Sequence, residues 1–127
     1  MSKKAFEIEL NVKPVSVNEA WQVRGFRKFK SKVYNEFQKK VFEQLDFIKW
    51  PHEEDKALDV IVHFFFSNRQ SDVDNGIKPL LDTLSTYYKW NDNKVYTIAA
   101  SKNIVPKGKE GIHVTIYSKE LPEMYEQ

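Results

Sequence analysis

The chain has no cysteine, which removes disulfides, thiol catalysis and zinc–thiolate sites together. Its three histidines, His52, His63 and His113, are scattered without ligand spacing, so a histidine-built metal centre is not expected. There is no apolar run long enough to cross a bilayer. The first residues, MSKKAFEIEL, alternate in polarity and carry no apolar signal core. A cytoplasmic location without membrane association is therefore expected. Charge is almost balanced, at a net +2 over 127 residues. That length fits one domain, and a chain of this size buries roughly two-thirds of its unfolded surface without needing a covalent staple.

The balance hides an uneven distribution. Between Lys13 and Lys40, eight cations (Lys13, Arg24, Arg27, Lys28, Lys30, Lys32, Lys39 and Lys40) face only Glu19 and Glu36. Such a local excess suits a polyanion such as nucleic acid, or it is a solvated helix face.

Hydrophobic periodicity divides the chain. Residues 6–12, FEIELNV, place Phe6, Ile8, Leu10 and Val12 on one side of a half-exposed strand. Residues 13–30 show no clear period. From Ser31, the spacing of Val33, Tyr34, Phe37, Val41, Leu45 and Ile48 is helical, with Pro51 as the stop. ALDVIVHFFF, residues 57–66, is a central-strand run in which Phe64, Phe65 and Phe66 belong to the core. Helical spacing returns over 76–88, with Pro79 tolerated in the first turn. Residues 94–105 and 112–118 are two further strands around the PKGKEG turn, and 118–127 is a frayed tail. The order strand, helix, strand, helix, strand, strand implies a single α/β (α+β) domain over 1–127, with helices packed on a mixed sheet.

One stretch concentrates chemistry. SDVDNGIKPLLDTL, residues 71–84, sets Asp72, Asp74 and Asn75 directly after the central strand, then Lys78 and Asp82 within the helix. Residues two apart in extended backbone point the same way, so Asp72 and Asp74 can aim both carboxylates at one hard cation. Mg²⁺ accepts one or two carboxylates plus substrate phosphate, and the helix N-terminus favours anions at the same place. The plainer reading is that Asp74 or Asn75 caps the helix and that Lys78 and Asp82 form an i,i+4 pair. A calcium loop does not fit, because the glycine falls one position early and Thr83 stands where a bidentate Glu is needed.

SDVDNGIKPLLDTLSTYYKWNDNKV resembles the signature of the RusA family of Holliday junction resolvases through Asp72, Asp74, Asn75, Lys78, Asp82, Leu84, Asp92 and Val95. The upstream segment KPVSVNEAWQVRGFRKFKSKVY agrees through Pro14, Ser16, Asn18 and Trp21, followed by basic, aromatic sequence to Ser31 and Tyr34. Asn91 stands where the family has the first of two acids, and Asp92 falls on the second.

The resemblance implies a RusA-like fold and a Mg²⁺-dependent endonuclease that nicks four-way DNA junctions symmetrically as a homodimer, in a bacterial cell, in such families often phage- or prophage-encoded. It implies Asp72, Asp74 and Asp92 as metal ligands, Lys78 as a charge-stabilising catalytic residue, and Asn75 and Asp82 in support. Arg24, Arg27, Lys28, Lys30, Lys32, Arg69 and Lys102 would hold phosphates. A less selective branched-DNA nuclease and a junction-binding protein without catalysis remain alternatives. Asp74 and Asp92 flank a helix of about 13 residues, roughly 20 Å long if straight. This spacing leads to the expectation that paired antiparallel helices bring Asp92 to the neighbouring subunit's site, the alternative being a bent or short helix that closes the site within one chain.

Overall fold

The computed structural model describes residues 4–124. Two long strands make its centre, β4 (Ala57–Phe66) and β6 (Gly111–Lys119), with β1 (Lys4–Leu10) at one edge. With β5 (Val95–Ile104) they form a four-stranded sheet in the order β1-β6-β4-β5. β6 is antiparallel to both neighbours, whereas β4 and β5 run parallel. The sheet is therefore mixed, as the element order implied.

Register explains the core. Ile8 faces Val114, which faces Val62, and Leu10 lies level with Ile112 and Phe64. These side chains are buried on one side of the sheet, together with Tyr34, Phe37, Val41 and Leu45 from helix α2 (Lys32–Leu45) and Leu80, Leu81 and Leu84 from helix α3 (Ile77–Tyr88). The alternate residues of β4, Ile61, His63 and Phe65, are only half-buried on the other face. The helices thus cover one face, the arrangement usual for α+β domains. Phe64 and Phe66 are core, as expected, while Phe65 belongs to the open face.

Some boundaries differ from the sequence reading. β1 ends at Leu10, yet Val12 remains buried beyond it. Helix α2 ends at Leu45, well before Pro51, with Asp46 as its C-cap. Residues 13–30 are not irregular. Ser16 and Glu19 form a capping box that starts a short helix, α1 (Val17–Ala20). A hairpin of β2 (Trp21–Arg24) and β3 (Arg27–Lys30) follows. The tail expected to fray from residue 118 is ordered further: Ser118 and Lys119 complete β6, and Lys119 Nζ lies 3.0 Å from Asp59 Oδ1. Residues 120–124 have no regular structure, and 125–127 lie outside the described residues. Among the described residues, no helix is long and apolar enough to cross a membrane.

Candidate acidic site and nucleic-acid interface

The candidate site starts where β4 leaves the core at Phe66. The next loop is organised by Asn68, whose Oδ1 accepts hydrogen bonds from Gln70 N (3.0 Å), Ser71 N (2.9 Å) and Ser71 Oγ (3.0 Å). This is the local side-chain-to-backbone bonding at which asparagine excels. From the neighbouring strand, Lys102 Nζ donates to the carbonyls of Arg69 and Ser71, both at 2.8 Å. Lys102 therefore clamps the loop. Arg69 itself is exposed.

Asp72 and Asp74 follow, both exposed. Asn75 Nδ2 donates weakly to Asp72 Oδ2 at 3.4 Å. A 3-10 turn, Asp74–Gly76, leads into α3, whose N-cap is Gly76 with no side-chain cap bond. The expected capping by Asp74 or Asn75 is thus not what occurs: the tight turn feeds the helix, and both side chains stay outside the cap. Gly76 is buried against Phe64, where a Cβ would come within 2.9 Å of the ring. Glycine at this point lets the loop that carries the acids lie flat on the core.

Lys78 meets two carboxylates, Asp82 Oδ1 at 2.8 Å and Asp92 Oδ2 at 3.4 Å. Its hydrogen bond to Asp82 raises its pKa above the ordinary lysine value, with smaller contributions from the charges of Asp82 and Asp92 against modest desolvation. The ammonium is therefore fully charged at neutral pH. Asp92 gets there because Lys89 takes a left-handed conformation (φ 59°, ψ 38°) at the end of α3. Asn91 then caps a second 3-10 turn, Asp92–Lys94, by accepting from Asn93 N at 3.1 Å. Aspartate and asparagine cap about equally well, so Asn91 supplies the structural service an aspartate would.

The helix-length separation was expected between Asp92 and the Asp72–Asp74 pair; what the second 3-10 turn brings Asp92 to is Lys78. The turn folds back against α3, and the lysine stem reaches one turn forward to meet it. What Asp92 meets in its own chain is Lys78. Among the described residues, no three or more His, Asp or Glu side chains gather in a way that could hold a metal ion, so the trio Asp72, Asp74 and Asp92 is not assembled as a cage within one chain. Asp72 and Asp74 are both exposed and two residues apart, but Val73 between them is helical (φ −63°, ψ −37°) and Asp74 already belongs to the 3-10 turn, so the extended backbone expected to aim both carboxylates at one point is not what occurs. Among the described residues no lysine or arginine is paired with either.

Asp72 also lines an open cavity of about 380 Å³, whose wall includes Pro14, Ser16, Asn18, Phe66 and Asn75. Two segments some fifty residues apart in sequence, 14–18 and 66–76, thus meet in one place. Directly beyond the first segment stands the basic hairpin. Arg24, Arg27, Lys28 and Lys30 lie on it, all exposed, with exposed Lys32 opening α2. Its root is fixed by Ser31, whose N–H donates to Ala20 O at 2.9 Å and whose hydroxyl donates to Glu19 O at 2.6 Å. A chain of polar contacts ties this root to α3. Lys30 Nζ donates to Gln38 Oε1 (2.9 Å), Gln38 Nε2 to Thr83 Oγ1 (3.1 Å), and Tyr34 OH to Pro79 O (3.3 Å). The cationic arm and the helix that follows the acids are therefore braced against each other.

No protein-family model matches this chain, and no curated protein matches it. Sequence reading named the acids, Lys78 and the cations. It missed Asn68, Gly76 and the capping role of Asn91. An asparagine just after a strand, and a glycine just before a helix, were the available signals.

Proposed function

We propose that the protein is a Mg²⁺-dependent endodeoxyribonuclease that acts on branched DNA, the four-way junction above all, in the manner of the RusA family it resembles. The observation that carries this reading is the convergence of Pro14, Ser16 and Asn18 with Asp72 and Asn75 on one cavity, beside a hairpin rich in exposed cations. A phosphodiester is anionic and must be held by positive charge beside carboxylates that would otherwise repel it. The hairpin cations would bind flanking phosphates, which gives affinity and orientation without sequence information.

Asp72 and Asp74 would hold the Mg²⁺, which supplies Lewis-acid polarisation and a low-pKa water when bound. Lys78, charged and positioned by Asp82, would stabilise negative charge developing on the phosphate. Two symmetrical nicks call for two matching sites, which a two-fold homodimer provides. Supply of Asp92 across that dimer is part of the proposal.

The test is cleavage of a synthetic four-way junction with and without Mg²⁺, beside a linear duplex of the same arms. Paired nicks that need Mg²⁺ and vanish in Asp74→Asn are expected. Undiminished cleavage by Asp74→Asn would overturn the assignment of the acids. Verified heterodimers of Asp74→Asn and Asp92→Asn subunits would regain one working centre if the site is shared and none if it is closed within a chain. A second reading, junction binding without hydrolysis, is favoured by the pairing of Asp92 with Lys78. It requires Mg²⁺-independent binding and no nicking.

A further inference from the structure

The tip of the hairpin carries more than the fold requires. Its register pairs Arg24 with Arg27, leaving Gly25 and Phe26 as a two-residue turn. Gly25 has φ +65°, and Phe26 is not among the described residues with positive φ. That is the signature of a type II′ turn with glycine first, and any small polar residue satisfies its second position. Phe26 instead stands fully in solvent, at 110% relative exposure, with Val23 at 73% and Phe29 at 36% behind it. Among the described residues nothing covers Phe26, so its burial is left to a partner.

The charges say which partner. From Trp21 to Asn35 there are five cations and no acid. Arg24 and Arg27 sit directly opposite each other beside the turn, an arrangement that like-charge repulsion disfavours on a hairpin and that an anion between or beside them relieves. The hairpin's cations share its two faces with rings: Arg24 lies 5.7 Å from the Phe29 centroid, and Lys28 lies 4.8 Å from that of Trp21. An apolar tip between paired arginines suits one ligand chemistry, a nucleobase flanked by its phosphates. Proteins insert such apolar wedges between base steps and unstack them, at least cost where bases are already unpaired or strained.

We propose that the β2–β3 hairpin is a branch-point wedge: Phe26 stacks on a base exposed where DNA strands part, and Arg24 and Arg27 hold the phosphates on either side. The proposal rests on the DNA-directed reading above and specifies how that site would tell branched DNA from linear. It makes the hairpin the selectivity element and leaves the acids to the chemistry.

The experiment measures binding in EDTA, with no cleavage required. Fluorescent four-way junction and linear duplex of equal length are titrated with wild-type protein, Phe26→Ala, Phe26→Trp and Arg24→Ala/Arg27→Ala. Because Phe26 stands clear of the core, its replacement leaves the fold unchanged, which a thermal melt verifies. Phe26→Ala is expected to lose about tenfold in junction affinity, the scale of one base–aromatic stack, with less than about twofold loss on duplex. Phe26→Trp is expected to retain the affinity. The double arginine variant weakens both substrates and lowers the salt slope by about 0.9 per phosphate contact removed. A 2-aminopurine beside the branch point brightens with wild-type protein and not with Phe26→Ala. Equal affinities for wild type and Phe26→Ala on the junction, equal losses on both substrates, or no junction preference in the wild type would each overturn the wedge. Mg²⁺-dependent cleavage is scored separately. Phe26-dependent junction binding without nicking defeats the nuclease reading alone, and nicking with Phe26-independent binding defeats the wedge alone.

Discussion

Replacing Gly76 with alanine isolates how the acidic loop is seated. The backbone there is in the right-handed helical region, φ −88° and ψ −15°, so alanine meets no conformational objection. The objection is space. Its Cβ would lie 2.9 Å from Phe64 Cε1 and 3.0 Å from Phe64 Cζ. The ring cannot easily yield, being wholly buried and stacked on Phe66 at 5.7 Å between centroids. Overpacking of this kind costs about 1–3 kcal/mol. Helix propensity gives nothing back, because glycine is preferred to alanine at the N-cap. At about 4 °C per kcal/mol for a chain of this length, the melting temperature should fall by about 4–12 °C, read by circular dichroism. Phe64→Leu removes the two atoms in conflict. In a double-mutant cycle, Gly76→Ala on the Phe64→Leu background should therefore cost at least about 1 kcal/mol less than on the wild type. Gly76→Ala melting within a degree of wild type, or costing as much on the Phe64→Leu background as on the wild type, would refute the contact as the reason for glycine.

Three further outcomes follow from the side-chain environments. Burial pushes the Tyr88 pKa up to about 12, burial also raises Tyr34, and the Asp82 hydrogen bond raises Lys78. Each keeps its proton longer when folded, so the stability it contributes is complete below the ordinary values near pH 10 and is lost as pH rises through the raised folded value, which for Tyr88 is about 12. Denaturant midpoints falling over that window, with Tyr34 and Tyr88 ionising only on unfolding as followed by ultraviolet absorbance, are the expected result, and a flat profile would contradict it. Gly25→Ala should cost about 1–2 kcal/mol locally, because φ is +65° there. Hydrogen exchange should then speed up across residues 21–30 while the global melt barely moves. Lys102→Met removes two charge-assisted bonds to the 69–71 loop, each worth about 1.5–3 kcal/mol at most. Faster loop exchange and slower cleavage at unchanged junction affinity are expected, whereas a salt slope reduced by about one would make Lys102 a phosphate contact after all.

Legibility in the sequence tracked how much of each element is buried. β4 and α3 stand close to where apolar spacing put them, because both bury a continuous stripe and the stripe is the signal. The β2–β3 hairpin was invisible to that signal. Only Trp21 is partly buried in it, so no hydrophobic alternation exists, and the glycine-led turn was its one mark. Strand order lay outside local pattern altogether. The approach of Asp92 to Lys78 turns on a left-handed Lys89, a conformation lysine gives no reason to expect. Asp72, Asp74 and Lys78 stood out in the sequence because acids and a base directly after an apolar strand serve no packing need; all three are exposed. The two carbonyls that Lys102 binds lie some thirty residues away, a contact no local pattern can show.

The position of β6 has a consequence for how the chain reaches its native state. It lies between β1 and β4, so Lys4 pairs with Ser118 and Ala57 with Lys119. This inner strand is the last of the described strands to leave the ribosome. Until it arrives, β1 has no neighbour and β4 shows a bare apolar margin, the kind of edge that recruits foreign strands. Closure then demands pairing across nearly the whole sequence, which slows folding relative to locally wired domains. A nascent or truncated chain lacking residues 111–119 would be a sticky half-sheet.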